Sequence, residues 1–159
     1  MEIDIRSLSS QDDNEIYEKI AKLFVKMHKQ FYKLNLSHRL IDGGELLWIN
    51  TIKKSVGKLH FIKIVSVNNE IIGFAAGNIR LLPNYLGQKK IGYISFIYIE
   101  DNYKDQGLGS KLAIELEKKL MQNSIHAIEL EVIIQNKSAY RFWEKLGYKP
   151  ENFGMIKKL

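Results

Sequence analysis

The chain has 159 residues and no cysteine, with 45% hydrophobic and 26% charged residues and a formal net charge of +6. This length and composition suit one domain spanning residues 1–159, and the lack of cysteine excludes disulfides, a thiol nucleophile and a cysteine-based zinc site. Since the lysines are scattered among acidic residues, the positive charge predicts a solvated basic surface in preference to a nucleic-acid groove.

Periodicity predicts a mixed α/β chain whose middle is an antiparallel meander. Apolar residues recur at steps of three and four from Ile16 to Leu34, which is typical of an amphipathic helix. Asn68-Asn69-Glu70 predicts a hairpin turn, because asparagine tolerates positive φ. In chain order we predict a strand at Glu2–Arg6, a helix from a cap at Asp12 or Asp13 to Leu34, a helix at Glu45–Val56, strands at Lys58–Val67, Ile71–Arg80 and Lys89–Ile99, a helix at Gly107–Asn123, a strand at Ala127–Ile134, a helix at Lys137–Leu146 with Gly147 as its C-cap, and a last strand at Tyr148–Leu159.

The most informative segment follows the strand that ends at Ile99. Residues Lys104–Ser110 read KDQGLGS and open a predicted helix. A helix that begins with Gly-x-Gly exposes backbone N–H groups at its positive dipole end, which is a place to hold phosphate. A dinucleotide fingerprint would need a third glycine at Leu112, and no Gly-Lys-Ser/Thr follows for a P-loop. The alternative is a helix start that needs glycine only for tight packing.

A second segment, Asn136–Tyr148, reads NKSAYRFWEKLGY after the next predicted strand. In this order the two segments resemble the GNAT superfamily of acyl-CoA-dependent N-acetyltransferases. That family has the patterns Arg/Gln-x-x-Gly-x-Gly/Ala and Asn-x-x-Ala-x-x-Phe-Tyr-x-x-x-Gly-Phe. The departures are Lys104 at the first loop position and Trp143 where the family often has a tyrosine acid. The resemblance implies a GNAT-like α/β domain with a mixed, mostly antiparallel sheet flanked by helices, in the order β-α-α-β-β-β-α-β-α-β.

The resemblance also implies transfer of an acetyl group from acetyl-CoA to a primary amine of a small molecule or peptide. The amine would attack directly in a ternary complex, because no cysteine can carry the acyl group. The residues assigned to the cofactor by resemblance are Ile97, Tyr98 and Ile99 for the pantetheine arm, Lys104, Asp105, Gln106, Gly107, Leu108, Gly109 and Ser110 for the pyrophosphate, and Asn136, Tyr140 and Trp143 on the last helix.

Tyr140 and Ser95 are the candidate catalytic residues. An indole N–H does not titrate usefully, so Trp143 cannot be a general acid, whereas Tyr140 lies one turn earlier on the same helix face. Tyr140 is either this acid or a cofactor contact. A third option is that no acid is needed, since the pKa of the thiol leaving group is near ~8.5. Ser95 is a candidate proton relay to water. Its strand carries no interior carboxylate.

Other acidic residues are weaker candidates for the acceptor side. Glu129 and Glu131 share one face of a predicted strand, and Asp42 and Glu45 precede or open the second helix. Each is also explained as a solvated surface charge or a helix N-terminal charge. Four histidines lie far apart in sequence, so we expect no metal site.

The predicted partners are an amine acceptor, with no nucleic acid and no membrane, and a homodimer is one option. No apolar run approaches the roughly 20 residues needed to cross a bilayer, and the first residues lack the apolar core of a signal peptide. These features predict a cytoplasmic protein. Two other classes stay open, namely a non-catalytic acyl-CoA-binding or regulatory domain and a basic nucleic-acid-binding module.

Overall fold

Five strands and four α-helices follow one another along the computed structural model, which describes residues 1–159. They are β1 (Ile3–Ser7), α1 (Asn14–Lys33), α2 (Gly44–Ser55), β2 (His60–Val67), β3 (Glu70–Leu81), β4 (Lys90–Ile99), α3 (Leu108–Met121), β5 (Ala127–Leu130) and α4 (Lys137–Lys145). Short 3₁₀ turns at Asn84–Leu86 and Asp101–Tyr103 flank β4. No helix combines the length and the apolar composition that crossing a membrane requires.

The strands form one sheet in the order β1-β2-β3-β4-β5. The first three pairings are antiparallel and the pairing of β4 with β5 is parallel. Asn68 and Asn69 make the two-residue turn between β2 and β3 with φ of 48° and 67°. The predicted meander and its asparagine turn are therefore confirmed.

The two faces of the sheet carry separate apolar layers. One layer packs α1 and α2 on the sheet through residues such as Ile20, Phe24 and Phe74. The other packs α3 and Trp143 of α4 on the opposite face, and Leu112 and Leu116 are fully buried there. The sheet is thus covered on both sides, as expected when neighbouring strand residues are buried alternately on the two faces.

Asp12 does not cap α1, although the sequence offers it as a candidate cap. Its two carboxylate oxygens accept hydrogen bonds from the Arg6 guanidinium, each at 2.9 Å, and Oδ2 also accepts from the Ser9 N–H. Asp13 occupies the cap position, but its side chain makes no cap hydrogen bond. The hydrogen bonds from Arg6 hold the pKa of Asp12 below its usual value, so this carboxylate ties β1 to the start of α1.

The predicted last strand at Tyr148–Leu159 is wrong. Tyr148 still donates its N–H to the Trp143 carbonyl, but residues 149–159 form no helix or strand and all are exposed. A segment forms a strand only where a neighbouring strand can pair with it, and this segment pairs with none within the chain. The predicted strand at Ala127–Ile134 is also too long, because β5 ends at Leu130, where its pairing with β4 stops.

Candidate functional site

An extra residue in β4 marks the centre of the site. Ala76 of β3 pairs with Phe96, but the next residue, Gly77, pairs with Ile94. Ser95 therefore has no partner in β3 and forms a β-bulge. A bulge of this kind bends its strand and ends regular pairing nearby.

Directly beyond the bulge, β4 and β5 separate. Their pairing ends at Ile94 with Leu130, while β4 continues beside β3 as far as Ile99. The edge of Ile97–Ile99 that faces β5 is therefore open. Open strand edges present backbone donors and acceptors that an extended ligand with amide groups can pair with. The three residues predicted to line the pantetheine arm lie on this edge.

Only the backbone of Tyr98 is available to a ligand at this edge. Its side chain packs in the layer under α1 and is 6% exposed. Burial, aided by the charges of Asp101 and Glu100, raises the pKa of Tyr98 to about 12. This phenol is therefore neutral and buried at physiological pH.

The segment between β4 and α3 presents a row of backbone amides. Gly107 caps α3 with φ of 76°, and Asp105 also has a positive φ of 60°. The first hydrogen bond of the helix runs from Lys111 N–H to the Gly107 carbonyl, at 3.2 Å. The N–H groups from Asp105 to Ser110 donate to no acceptor within the chain. Six successive free amides at the positive end of a helix have a geometry suited to an anion, and binding of a pyrophosphate here stays a prediction.

The positive charge of Lys104 is already paired with a carboxylate, so it attracts an anion at this site less strongly than the sequence implies. Its ammonium lies 2.6 Å from Asp101 Oδ1 and 3.4 Å from Gln30 Oε1. The hydrogen bond from Lys104 lowers the pKa of Asp101, which keeps that carboxylate ionised. Gln30 and Lys26 of α1 also donate to Asp101 and Glu100, respectively. These contacts tie the loop to α1, and no local sequence pattern indicates them.

The two segments that carry the family resemblance meet in space. Asn136 caps α4, since its Oδ1 accepts from the Ala139 N–H at 3.1 Å. A Cβ built on Gly109 would lie 3.5 Å from Cε2 of Phe142. That distance is an ordinary van der Waals contact, so α4 lies directly beside the first turn of α3. Asn136 fills the cap role, and its possible contact with a cofactor stays a prediction.

Tyr140 and Trp143 have different environments on α4. Trp143 is 6% exposed and packs edge-on against Phe142 and Tyr148, with ring centroids 4.8 and 5.3 Å away. Tyr140 is 40% exposed. The indole ring therefore packs in the core and leaves little surface that a cofactor could contact. The phenol of Tyr140 is exposed enough to contact a cofactor.

Glu129 and Glu131 lie near Tyr93 on the face of the sheet toward α1. Tyr93 pairs with Glu129 across the strands, and the guanidinium of Arg80 stacks 3.4 Å from the Tyr93 ring centroid. Burial, and next the charge of Glu131, raises the pKa of Tyr93. The structure therefore places two carboxylates where β4 and β5 begin to part. Asp42 and Glu45 lie apart from them in sequence, at the start of α2.

The sequence analysis missed an aromatic cluster beside this opening. Phe24 of α1 stacks on Trp48 of α2 with centroids 4.0 Å apart, and its edge meets Phe96 at 5.2 Å. His28 packs edge-on against Phe24, and neither of its ring nitrogens has a hydrogen-bond partner. Burial lowers the pKa of His28, so its ring is neutral at pH 7. The aromatic residues spaced four apart on α1 were the signal available in the sequence.

Comparisons with known proteins point to one family. The sequence model of the acetyltransferase (GNAT) family matches residues 20–148. An uncharacterized N-acetyltransferase of Methanocaldococcus jannaschii is 28% identical over 89 residues, which are 54% of this chain and 38% of that protein, so the match spans well under half of that relative. An aminoalkylphosphonate N-acetyltransferase of Salmonella typhimurium is 21% identical over 157 residues, covering 98% of this chain and 91% of its own. A solved aminoglycoside N-acetyltransferase in complex with CoA has the same fold, with a TM-score of 0.75 at 14% identity over 99% of this chain and 95% of that chain.

Proposed function

The chain belongs to the acetyltransferase (GNAT) family, and on this premise we propose that it transfers an acetyl group from acetyl-CoA to a primary amine of a small molecule or peptide. One observation carries the proposal. The open edge of β4 leads directly to six free amides at the start of α3. Together they suit a ligand that has an amide-containing arm at one end and a diphosphate at the other.

The donor is held by backbone groups in this proposal. The amides from Asp105 to Ser110 bind the pyrophosphate of acetyl-CoA, and the open edge of Ile97–Ile99 pairs with the pantetheine amides. This arrangement brings the thioester to the gap beside Ser95. A backbone N–H near Ile97 then polarises the thioester carbonyl and stabilises the oxyanion that forms on attack.

The acceptor reaches the same gap from the side that carries Tyr93. An alkyl ammonium has a pKa near ~10.4, so it must lose a proton before it can attack. Glu129 and Glu131 attract the cation, and Ser95 relays its proton to water. The nitrogen then forms a bond to the acyl carbon while the carbon–sulfur bond breaks, and CoA leaves as the thiolate or thiol. The names of the similar enzymes, which act on an aminoglycoside or an aminoalkylphosphonate, favour a polar small-molecule amine.

Tyr140 is the proposed proton donor to the departing sulfur. Replacing it by phenylalanine is expected to lower kcat by about a hundredfold, the lower end of the range usual for general acids, with little change in KM for acetyl-CoA. The measurement is steady-state kinetics with saturating amine. A rise confined to KM would instead assign Tyr140 to cofactor contact.

Tyr148→Phe is the matched control for this variant. It removes a phenol that donates to Glu117 at 2.7 Å and lies beside the buried Trp143. We expect this change to alter thermal stability but not kcat. An equal loss of kcat in both variants would indicate a structural effect rather than acid catalysis.

Titration calorimetry with CoA and acetyl-CoA tests the proposed function, followed by CoA release assays with a panel of primary amines. We expect binding of both coenzymes and turnover with at least one polar amine. Binding without turnover across a broad panel would favour a non-catalytic acyl-CoA-binding domain, for which the lack of a carboxylate within β4 is the supporting observation. If folded protein gave no heat of binding with either coenzyme, both the acetyltransferase and the acyl-CoA-binding proposals would be overturned. A cytoplasmic location and a reaction without metal are also part of the proposal.

A further inference from the structure

An arginine without a carboxylate partner lies on the sheet beside the gap between β4 and β5. Arg80 of β3 is exposed, and its guanidinium carbon lies 3.4 Å from the centroid of the Tyr93 ring. Its Nε donates to Asn78 Oδ1 at 3.2 Å, which fixes the direction of the planar group. Arg80 forms no ion pair within the chain. A guanidinium held in one orientation can bind an oxyanion through two parallel hydrogen bonds.

Arg80 shares one face of the sheet with the two carboxylates proposed to attract the amine. Asn78 of β3 pairs with Tyr93 of β4, which in turn pairs with Glu129 of β5. Side chains opposite one another on paired strands point to the same face, and so do residues two apart on one strand. Arg80 follows Asn78 by two residues, so it lies on the face of Tyr93 and Glu129.

The Tyr93 phenol is close to charges of both signs. Burial has the largest effect on the pKa of Tyr93 and raises it. The charge of Glu131 raises this pKa further and that of Arg80 lowers it, followed by a smaller rise from Glu129. The guanidinium and the two carboxylates therefore surround one side chain, although neither glutamate forms an ion pair with Arg80.

The charges have a fixed order relative to the gap. Glu131 comes directly after the last pair between β4 and β5, so it lies level with the bulge at Ser95. Arg80 belongs to β3, on the other side of β4. About 10 Å separates β3 from β5 across β4, so a compound with a short carbon chain between an amine and an acid group can reach from Arg80 to the gap.

We propose that the acceptor is a zwitterion, in which a primary amine lies beside Glu131 and an oxyanion, a carboxylate or a phosphate, a few atoms away is bound by Arg80. This inference rests on the proposed function, because acetyl transfer defines the gap as the place of the amine. Arg80 exchanges no proton and determines which amines bind. Tyr93 supports the guanidinium through its ring face.

Acceptors that differ only in the acid group test the proposal. 4-Aminobutanoate is compared with 4-aminobutanamide and with 1,4-diaminobutane at saturating acetyl-CoA. We expect kcat/KM to be at least about tenfold higher for the acid, because the amide cannot accept a charge-assisted pair of hydrogen bonds. O-Phosphoethanolamine and 2-methoxyethylamine form the second pair, and the larger ratio of the two pairs identifies the preferred oxyanion. Equal values within both pairs, or the highest value for the diamine, would overturn the proposal.

Variants of Arg80 separate binding of the acid group from support of the fold. Arg80→Gln should raise KM for 4-aminobutanoate at least about tenfold and leave KM for 4-aminobutanamide unchanged. Arg80→Lys should keep part of the preference, since it retains the charge but not the planar fork. Lys22→Gln removes the same charge from an exposed position of α1 and should leave the ratio of acid to amide within about twofold. An equal loss for acid and amide in Arg80→Gln would show a structural role and refute the subsite.

Calorimetry without acetyl-CoA separates this inference from acetyl transfer. 4-Aminobutanoate and O-phosphoethanolamine are titrated into the parent and into Arg80→Gln. We expect at least one of them to bind the parent, at least about tenfold more weakly to the variant, and less tightly as salt rises. Arg80-dependent binding without turnover keeps the subsite and removes acetyl transfer. Turnover of amines regardless of Arg80 keeps acetyl transfer and removes the subsite, and so does a failure of both zwitterions to bind.

Discussion

Replacing Ser110 by aspartate is expected to raise KM for acetyl-CoA by about ten- to a hundredfold without loss of stability. Ser110 is the third residue of α3, and its N–H is one of the six free amides. A carboxylate in the first turn of a helix stabilises it by roughly 0.3–1 kcal/mol. The same charge repels a diphosphate bound there. At about 5 Å and an effective dielectric constant of about 20, the repulsion is ~3 kcal/mol. Screening by water and salt reduces this energy, and the remainder corresponds to the roughly ten- to hundredfold rise in KM.

This variant is diagnostic because it is expected to stabilise the helix and, at the same time, to weaken binding of the cofactor. Thermal unfolding reports the effect on the helix, and KM with saturating amine reports the effect on the cofactor. Ser110→Ala is the matched control, because it removes the hydroxyl without adding charge, and it should change KM by less than about threefold. An unchanged KM in Ser110→Asp would contradict a pyrophosphate site at the start of α3.

The second large effect is expected for Gly73→Ala in β3. A Cβ at this position would lie 2.6 Å from the Tyr98 carbonyl oxygen and 2.6 Å from Cδ1 of Ile99, with Cγ1 of Val65 at 3.0 Å. The isoleucine side chain can rotate away, but the carbonyl belongs to β4 and moves only with its strand. Overpacking of this kind costs about 2–3 kcal/mol, which lowers the melting temperature by roughly 5–10 °C in a chain of this length.

This variant also tests the coupling between the fold and the site. Gly73 pairs with Ile99, at the end of the open edge proposed to bind the pantetheine arm. A displaced β4 should therefore raise KM for acetyl-CoA as well as lower stability. Gly154→Ala is the control, since a Cβ there meets no atom within 4 Å. A melting temperature within 1 °C of the parent for Gly73→Ala would show that β4 shifts at little cost.

Features set by local patterns were predictable from the sequence. The long amphipathic helix, the Asn68-Asn69 turn and the glycine start of α3 each follow from periodicity or from backbone conformations that few residues adopt. The positive φ of Gly107 at the start of α3 is one of these backbone conformations.

Features set by pairing between distant segments were not predictable. The bulge at Ser95 depends on the register between β3 and β4, and nothing in the residues around Ser95 indicates it. Tyr148–Leu159 lacks a partner strand within the chain, so the prediction of a strand there was wrong. Trp143 matched a family position by spacing, yet its size and apolar neighbours place it in the core.

The bulge at Ser95 also inverts the numbering parity of β4. Before it, even-numbered residues such as Ile94 point to α3, and odd-numbered Tyr93 points to the opposite side. After it, even-numbered Phe96 and Tyr98 point to α1 while odd-numbered Ile99 points to α3. Deleting Ser95 would therefore leave a regular ladder in which every later residue of β4 keeps its face. Closing the bulge with all residues retained would instead shift the register by one and exchange the residues of the two layers.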